Sequence, residues 1–244
     1  MPMDNLGFTS VPAVLKQLRL AEHLGLDCDA ALRAAGIDAA ELKDTSLRIP
    51  GLKYERLLGH LLKVSGDPLF GLHSARFVQP GSWSVLGYIT MNCATLGEAM
   101  SRIVPYEKLV GDMGVSRIEA DSQQVQLIWD CRHQNAEVRR HMTEEVLASW
   151  LLYARWIADS QLSPSEVWFE HAQPADVELS EYQSLFGCPI HFGQPCNALL
   201  VPPQYLQIAL RQADANLLRT LEDHALTLMA GLDSDEPLPV RVHN

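Results

Sequence analysis

Two histidines and a carboxylate form the most reactive arrangement in the sequence. His133 and His141 flank the start of a predicted helix, and Glu145 follows His141 by four residues, on the same helical face. A carboxylate at that spacing can orient an imidazole as a general base, and the same pair is also an ordinary helix-surface contact. A small soluble enzyme using His133, His141 and nearby acids is therefore the alternative function.

Cysteine and histidine cluster near residue 190. Cys188, His191, Cys196 and the upstream His171 have side chains that Zn²⁺ accepts. Their spacing fits no standard zinc pattern, and Cys188 and His191 lie three residues apart in a predicted strand, which turns them to opposite faces. We expect buried structural thiols here, with no metal site and no cofactor.

Two common catalytic signatures are missing from the sequence. The segment Gly81–Val85 does not match the Gly-x-Ser-x-Gly nucleophile elbow, because it lacks the second glycine. Neither Gly-x-Gly-x-x-Gly nor Gly-Lys-Ser/Thr occurs, so no loop is expected to cradle a phosphate. The sequence thus offers no site for serine hydrolysis or nucleotide-dependent chemistry.

Aromatic residues are concentrated in the middle of the chain. Tryptophan and tyrosine combine large apolar faces with a polar tip, which suits the wall of a small-molecule pocket. For each of them the alternative is an ordinary place in the core. We predict a pocket with His141 as its polar contact and with these aromatic walls: Trp83, Tyr106, Trp129, Trp150 and Tyr153.

The first 80 residues are predicted to form a helical layer. Apolar residues recur at helical spacing over 11–18, 28–35 and 54–62, and glycines follow each segment. Residues 20–42 also suggest a helix-turn-helix unit. This interpretation fails, because the first 80 residues carry no net charge and the second helix has Arg33 as its only basic residue for contact with DNA.

The middle of the chain, residues 81–202, is predicted to mix helices and strands. Thr95 and Glu98 have the spacing of a capping box, which predicts a helix from Leu96. Two runs with period two, Val115–Ala120 and Val125–Cys131, predict an antiparallel hairpin with Val125, Leu127 and Trp129 on one face.

A long helix is predicted over about residues 137–160. Its apolar stripe passes through Trp150 and Tyr153, and Arg139, Arg140, Glu144 and Glu145 lie off that stripe. We also predict a strand at 167–171, a helix at 179–186 and a strand pair formed by 189–192 and 198–201.

Residues 203–232 are predicted to be helical, and residues 233–244 to begin a linker. Asp214 is the expected N-cap of the last helix. Its apolar stripe is predicted to face inward and to serve as a dimerisation surface: Leu217, Leu221, Ala225 and Leu228. The resulting fold class is α+β, with an N-terminal helical layer, a small mixed or antiparallel sheet packed against the long helix, and C-terminal helices.

Composition limits the possible partners. The 244 residues carry a formal charge of −11, and the acidic surplus lies mostly in the last third, so this chain lacks the basic surface that nucleic acid requires. No run approaches the roughly 18 apolar residues of a membrane helix. The odd count of 5 cysteines without a Cys-x-x-Cys pair favours free thiols in the cytoplasm.

Several segments follow the pattern of a known family. The most specific is Tyr182–Asn197, YQSLFGCPIHFGQPCN. The others are Ala31–Ile37, Leu47–Pro50, Ser65–Leu72, Leu86–Tyr88, Ala94–Ala99 and Ala213–Leu218. In these segments the chain resembles the N-terminal regulatory domain of one large branch of AraC/XylS-type transcriptional regulators, and the resemblance covers most of residues 11–230.

The resemblance implies a role in transcription regulation. In that family this domain binds a small-molecule effector and often mediates dimerisation, and a C-terminal domain with two helix-turn-helix units binds DNA. We therefore expect a cytoplasmic effector-binding domain that forms a homodimer and reaches DNA only through a C-terminal domain that this sequence lacks. Effectors differ between members, so the resemblance implies a role without specifying a ligand.

Overall fold

The N-terminal part of the protein is a layer of helices closed by a small β-ribbon. A computed structural model describes residues 6–175 and 177–235, the last three without their side chains. The helices predicted from periodicity are confirmed: α1 (Val11–His23), α2 (Cys28–Ala35) and α3 (Gly51–Ser65). The short α4 (Phe70–Ser74), which was not predicted, follows them. The antiparallel ribbon was not predicted, and it joins β1 (Phe8–Ser10) to β2 (Arg48–Pro50).

Three short helices follow: α5 (Ser84–Asn92), α6 (Leu96–Ser101) and α7 (Ile103–Tyr106). The predicted start of α6 is confirmed, because the Thr95 hydroxyl accepts a hydrogen bond from the Glu98 N–H at 3.2 Å. The Glu98 carboxylate accepts from the Ala94 N–H at 2.7 Å rather than from Thr95, so only half of the capping box forms.

Five strands form the main sheet. They are β3 (Gly114–Ala120), β4 (Val125–Cys131), β5 (Glu166–Trp168), β6 (Ile190–His191) and β7 (Ala198–Val201). Their order is β3-β4-β7-β5-β6, and only the β5–β6 pair is parallel. The predicted β3–β4 hairpin is confirmed, with Val125, Leu127 and Trp129 all buried.

The predicted pairing of 189–192 with 198–201 is wrong. Strand β5 lies between β6 and β7 and forms hydrogen bonds with both. The strand segments themselves were placed correctly, but β6 has only two residues. A strand that short carries no alternation from which its partner can be inferred.

The long helix α8 (Ala136–Ala158) crosses the molecule, and Asn135 caps its start. The sequence placed Glu144 and Glu145 off the buried stripe, and this is wrong, because their exposed fractions are 0% and 2%. Each carboxylate has partners on other elements: Tyr182 donates to Glu144, and Lys16 pairs with Glu145. Polar partners of this kind permit burial that an apolar stripe does not predict.

The last two helices are α9 (Leu179–Phe186) and α10 (Ala215–Asp235). Asp214 caps α10 as predicted, because its carboxylate accepts from the N–H groups of Asn216 and Leu217 at 2.9 and 3.0 Å. The inward orientation predicted for Leu217 is wrong. Its side chain is 46% exposed, and the neighbouring Leu218 occupies the buried position instead.

The α+β class is confirmed. The boundaries proposed at residues 80, 202 and 232 stay predictions, and residues 236–244 of the expected linker lie outside the described residues. Across the described residues, no helix is long and apolar enough to span a membrane.

Candidate functional site

A partly open cavity of about 190 Å³ lies between α8, the main sheet and the helices α5 and α6. Most of its lining is aliphatic or aromatic, with a small number of polar groups. This combination is typical of small-molecule sites in proteins. Because these elements are far apart in the sequence, residues distant along the chain form one wall of the cavity.

The cavity brings together four of the six residues predicted for the pocket. Trp83 comes from the 3₁₀ turn Pro80–Trp83, Trp129 from β4, and Trp150 and Tyr153 from α8. Tyr106 and His141, the other two predicted residues, do not line it. Helical periodicity placed Trp150 and Tyr153 correctly on the α8 face that meets the sheet.

Trp83 and Tyr153 form one aromatic corner. Their ring centroids are 4.7 Å apart, and the rings meet edge to face at 83°, a favourable arrangement for aromatic quadrupoles. The Tyr153 hydroxyl donates a hydrogen bond to the Gly87 carbonyl at 2.5 Å, which ties α8 to α5. The corner is therefore held by both ring packing and a buried hydrogen bond.

Trp129 lies across the backbone of the adjacent strand. A Cβ atom at Gly114 would overlap the Trp129 indole, so only glycine at this position lets the ring lie flat against β3. The exposed fraction of Trp129 is 6%, and its side chain forms part of the cavity wall. Gly114 thus positions an aromatic side chain that belongs to the next strand.

A buried ion pair reaches the cavity. The Lys16 ammonium group of α1 contacts Glu145 Oε1 of α8, and the Ser149 hydroxyl donates to the same oxygen at 2.8 Å. Both charged side chains are at most 5% exposed. Burial and the Arg19 guanidinium lower the pKa of Lys16, so the Glu145 carboxylate is what favours its charged form.

Sequence reasoning missed Lys16, because α1 is buried on several sides and periodicity gives its lysine no special place. A second carboxylate was missed as well. Glu107 lines the cavity and accepts a hydrogen bond from the Ser116 N–H at 2.8 Å. Burial raises the pKa of Glu107 above its ordinary value.

His141 lies on a side of α8 that does not face the cavity. Its Nδ1 accepts a hydrogen bond from the Gly71 N–H of α4 at 3.2 Å and is 3.9 Å from Glu144 Oε2. Burial, reinforced by Arg140, lowers the pKa of His141 to about 4. The Glu145 partner suggested by spacing pairs with Lys16 instead. His141 is therefore a neutral, packed residue at neutral pH.

Tyr106 and His133 also lie outside the cavity lining. Tyr106 ends α7, where burial and the Glu222 carboxylate of α10 raise its pKa. His133 is 0% exposed, and its Nδ1 is 2.8 Å from the Glu55 carboxylate of α3. The two histidines considered for catalysis thus have separate partners and no shared open site.

The cysteine and histidine cluster near residue 190 does not converge. Within the part of the chain that the structure describes, no group of three or more His, Cys, Asp or Glu side chains is placed to hold a metal ion. All five cysteines are free, and burial raises the pKa of Cys188 to about 11. That shift makes Cys188 a poor thiolate ligand at neutral pH.

Comparisons with known proteins identify relatives of the chain. A family model described as the arabinose-binding domain of AraC transcription regulators, N-terminal, matches residues 25–210. The ornithine utilization regulator of Pseudomonas aeruginosa is 24% identical over 241 residues, which cover 97% of this chain and 70% of that protein.

A solved structure shares the fold. The transcriptional regulator CdpR from Pseudomonas aeruginosa matches with a TM-score of 0.59 at 15% identity, over 80% of this chain. The match spans 59% of the length of that regulator.

Proposed function

Because this chain belongs to the family of N-terminal arabinose-binding domains of AraC transcription regulators, we propose that the cavity beside α8 is its effector site. The observation that carries the proposal is the convergence of Trp83, Trp129, Trp150 and Tyr153 on one cavity of about 190 Å³. A small molecule enclosed there would gain binding free energy by removing its apolar surface from water.

We infer that α10 transmits the bound state. Its N-terminus is tied to the end of α5, because the Asp214 N–H donates to the Asn92 carbonyl at 3.1 Å. Further along α10, Glu222 pairs with Arg102 at 2.6 Å, just after α6. An effector that favours one packing of α5 and α6 against α8 would therefore shift the position of α10.

In the whole regulator, this shift is proposed to control DNA binding by a C-terminal helix-turn-helix domain. The net charge of −11 supports the assignment of DNA contacts to another domain. The coupling is reciprocal, so DNA of the correct operator sequence would in turn change effector affinity.

We propose binding rather than catalysis as the activity of this chain. Neither His133 nor His141 lines the cavity, and the relatives named above are regulators. A cytoplasmic location is also proposed, supported by the five free cysteines.

Dimerisation through α10 is proposed from the sequence. Of the predicted surface residues, Leu217 is exposed, Leu221 and Leu228 are half-buried, and Ala225 is fully buried within the domain. The surface available to a second copy would therefore centre on Leu217. Sedimentation equilibrium should show a dimer that Leu217→Glu dissociates, and a monomeric wild-type protein would contradict the proposal.

A thermal-shift screen tests the effector site. Amino acids, amines, fatty acids and sugars are the compound classes, and the name of the ornithine utilization regulator gives amino acids and amines priority. A ligand that binds only the folded state raises the melting temperature. We expect at least one compound to shift the wild-type melting temperature by several degrees.

The matched variants are Trp129→Ala and Trp168→Ala. Trp129 lines the cavity, whereas Trp168 lies on β5 away from it and donates to Glu166 at 2.8 Å. The shift should disappear in Trp129→Ala and persist in Trp168→Ala. An equal shift in both folded variants would show that the compound binds elsewhere.

A further inference from the structure

The charges on the cavity wall are unequal. Among the described residues that line the cavity, the charged ones are Lys16, Glu107 and Glu145, two carboxylates against one ammonium. Contacts hold each carboxylate in place. The Ser149 hydroxyl and the Lys16 ammonium group contact Glu145, and the Ser116 N–H donates to Glu107. The cavity lining therefore has one more acidic than basic side chain.

The ammonium group of Lys16, which now pairs with Glu145, is held in surroundings that disfavour its charged form. Burial and Arg19 lower the pKa of Lys16, and its ammonium form depends on Glu145. A competing ammonium group could replace it at Glu145, because Lys16 would lose its proton or withdraw along its flexible stem. A cation close to Glu107 would also favour that carboxylate's ionised form, which burial now disfavours.

The aromatic walls suit the same charge. Trp83, Trp129, Trp150 and Tyr153 present ring systems whose faces attract an ammonium group within about 6 Å of the ring centre. These rings equally accommodate an apolar ligand body. A ligand with a carboxylate group would be repelled by the like charges of Glu107 and Glu145.

We propose that the effector of this cavity is a small organic ammonium ion whose apolar body lies against the tryptophans and whose charged nitrogen lies at Glu145. This inference rests on the proposed effector site and specifies its ligand class. The cavity volume of about 190 Å³ accommodates a small ligand. A 150 Å³ cavity holds about one benzene ring, so a single ring with a short amine arm fits.

Isothermal titration calorimetry with three compounds of matched shape tests the charge preference: 2-phenylethylamine, 2-phenylethanol and 3-phenylpropionate. We expect the amine to bind at least tenfold more tightly than the carboxylate, with the alcohol between them. A carboxylate that binds as tightly as the amine, or more tightly, would overturn the proposal.

Two acid-to-amide variants locate the charge. Glu145→Gln removes the cavity carboxylate, and Glu119→Gln removes one on β3 that is exposed and pairs with Arg117. Glu145→Gln should weaken amine binding at least tenfold and leave alcohol binding within about threefold. Glu119→Gln has the same net charge and should bind the amine like wild type. Equal amine affinity in the two variants would overturn the assignment of Glu145.

A double variant covers the case in which Glu145→Gln alone fails to fold. Lys16→Met with Glu145→Gln removes both buried charges, so neither is left unpaired. This protein should bind the alcohol like wild type and bind the amine no more tightly than the alcohol. Retained preference for the amine would overturn the proposal.

The series also separates this inference from the effector site itself. If the alcohol or the carboxylate binds wild type best and Trp129→Ala abolishes that binding, the cavity is the effector site and the ammonium preference is wrong. If none of the three compounds binds, the ammonium preference is contradicted, and the thermal-shift screen with Trp129→Ala decides the proposed site.

Discussion

Helix α8 has two sides with opposite packing. On one side, His141 and Glu144 lie against α4 and α9, in hydrogen-bond contact with Gly71 and Tyr182. On the other side, Glu145, Trp150 and Tyr153 border a cavity of about 190 Å³. The closely packed side fixes the helix, and the open side leaves space that a ligand can fill.

Both sides bury carboxylates, but with different partners. Glu144 accepts from Tyr182 at 2.5 Å and pairs with Arg140 at 2.9 Å on its own helix. Glu145 depends on Lys16, whose charged form burial disfavours. Glu144 thus has one partner on its own helix and one on α9, whereas Glu145 depends on a cation whose charge burial disfavours. Substitutions on the two sides should therefore behave differently.

The largest effect is expected at the closest contact of the packed side. A Cβ at Gly71 would overlap the His141 carbonyl, so Gly71→Ala must separate α4 from α8. We expect it to lower the free energy of unfolding by more than about 3 kcal/mol, at the upper end of overpacking costs. Urea unfolding measures this directly.

Gly59→Ala is the matched control. Gly59 lies on α3, and its Cβ would meet only Val138 of α8, at 4.0 Å. Because alanine favours a helix interior over glycine, this variant should be stabilised by about 0.5–1 kcal/mol. Equal stability of the two variants would contradict the close packing of α4 against α8.

The next effect is the pH dependence of the packed side. Burial and Arg140 lower the pKa of His141 to about 4 in the folded state, whereas an unfolded histidine titrates near pH 6.5. Between these values the unfolded chain binds a proton that the folded protein does not, so stability falls as pH falls from 6.5 to 4. The contribution of His141 is about 3 kcal/mol at 1.36 kcal/mol for each pH unit.

Urea unfolding at pH 7, 5.5 and 4 should reveal this contribution as the difference between wild type and His141→Gln. Glutamine keeps an acceptor for the Gly71 N–H but does not titrate. His133, whose pKa is also lowered chiefly by burial, contributes equally to both proteins. Parallel pH profiles for the two proteins would show that His141 is not buried as a neutral ring.

A smaller effect is expected at the open side. Tyr153→Phe removes the hydrogen bond to the Gly87 carbonyl but keeps the ring that packs on Trp83. We expect a loss of about 1 kcal/mol of stability, the ordinary value for one buried hydrogen bond. A loss above about 3 kcal/mol would mean that the open side is as rigid as the packed side.

These two sides also differ in how well the sequence predicts them. Periodicity identified α8 and the β3–β4 hairpin, and alternation put Trp129 on the buried face of β4. It failed for Lys16 and Glu145, whose burial depends on a partner more than a hundred residues away. Local patterns record which face of an element is apolar, but they do not record which distant polar group will neutralise a buried charge.

The same limit applies to the elements that were missed or misassigned. Strands β1, β2 and β6 have two or three residues each, too few to show a period. Their place is set by pairing with distant segments. Periodicity and composition suggest His141 as the polar contact of the pocket, whereas the close approach of Gly71 directs its ring toward α4.

The smallest effect on stability should accompany the largest effect on binding. Ala99 of α6 is buried and lines the cavity. Ala99→Leu adds three carbon atoms to a region that has space for them, so we expect its stability to change by less than about 1 kcal/mol. The added side chain would occupy the volume that the effector needs.

Effector affinity of Ala99→Leu, measured by calorimetry with the best compound from the thermal-shift screen, tests the central claim most directly. The cavity assignment predicts at least a hundredfold loss of affinity in Ala99→Leu and wild-type affinity in Gly59→Ala, both in folded proteins. Wild-type affinity in a folded Ala99→Leu protein would contradict the assignment of the cavity as the effector site.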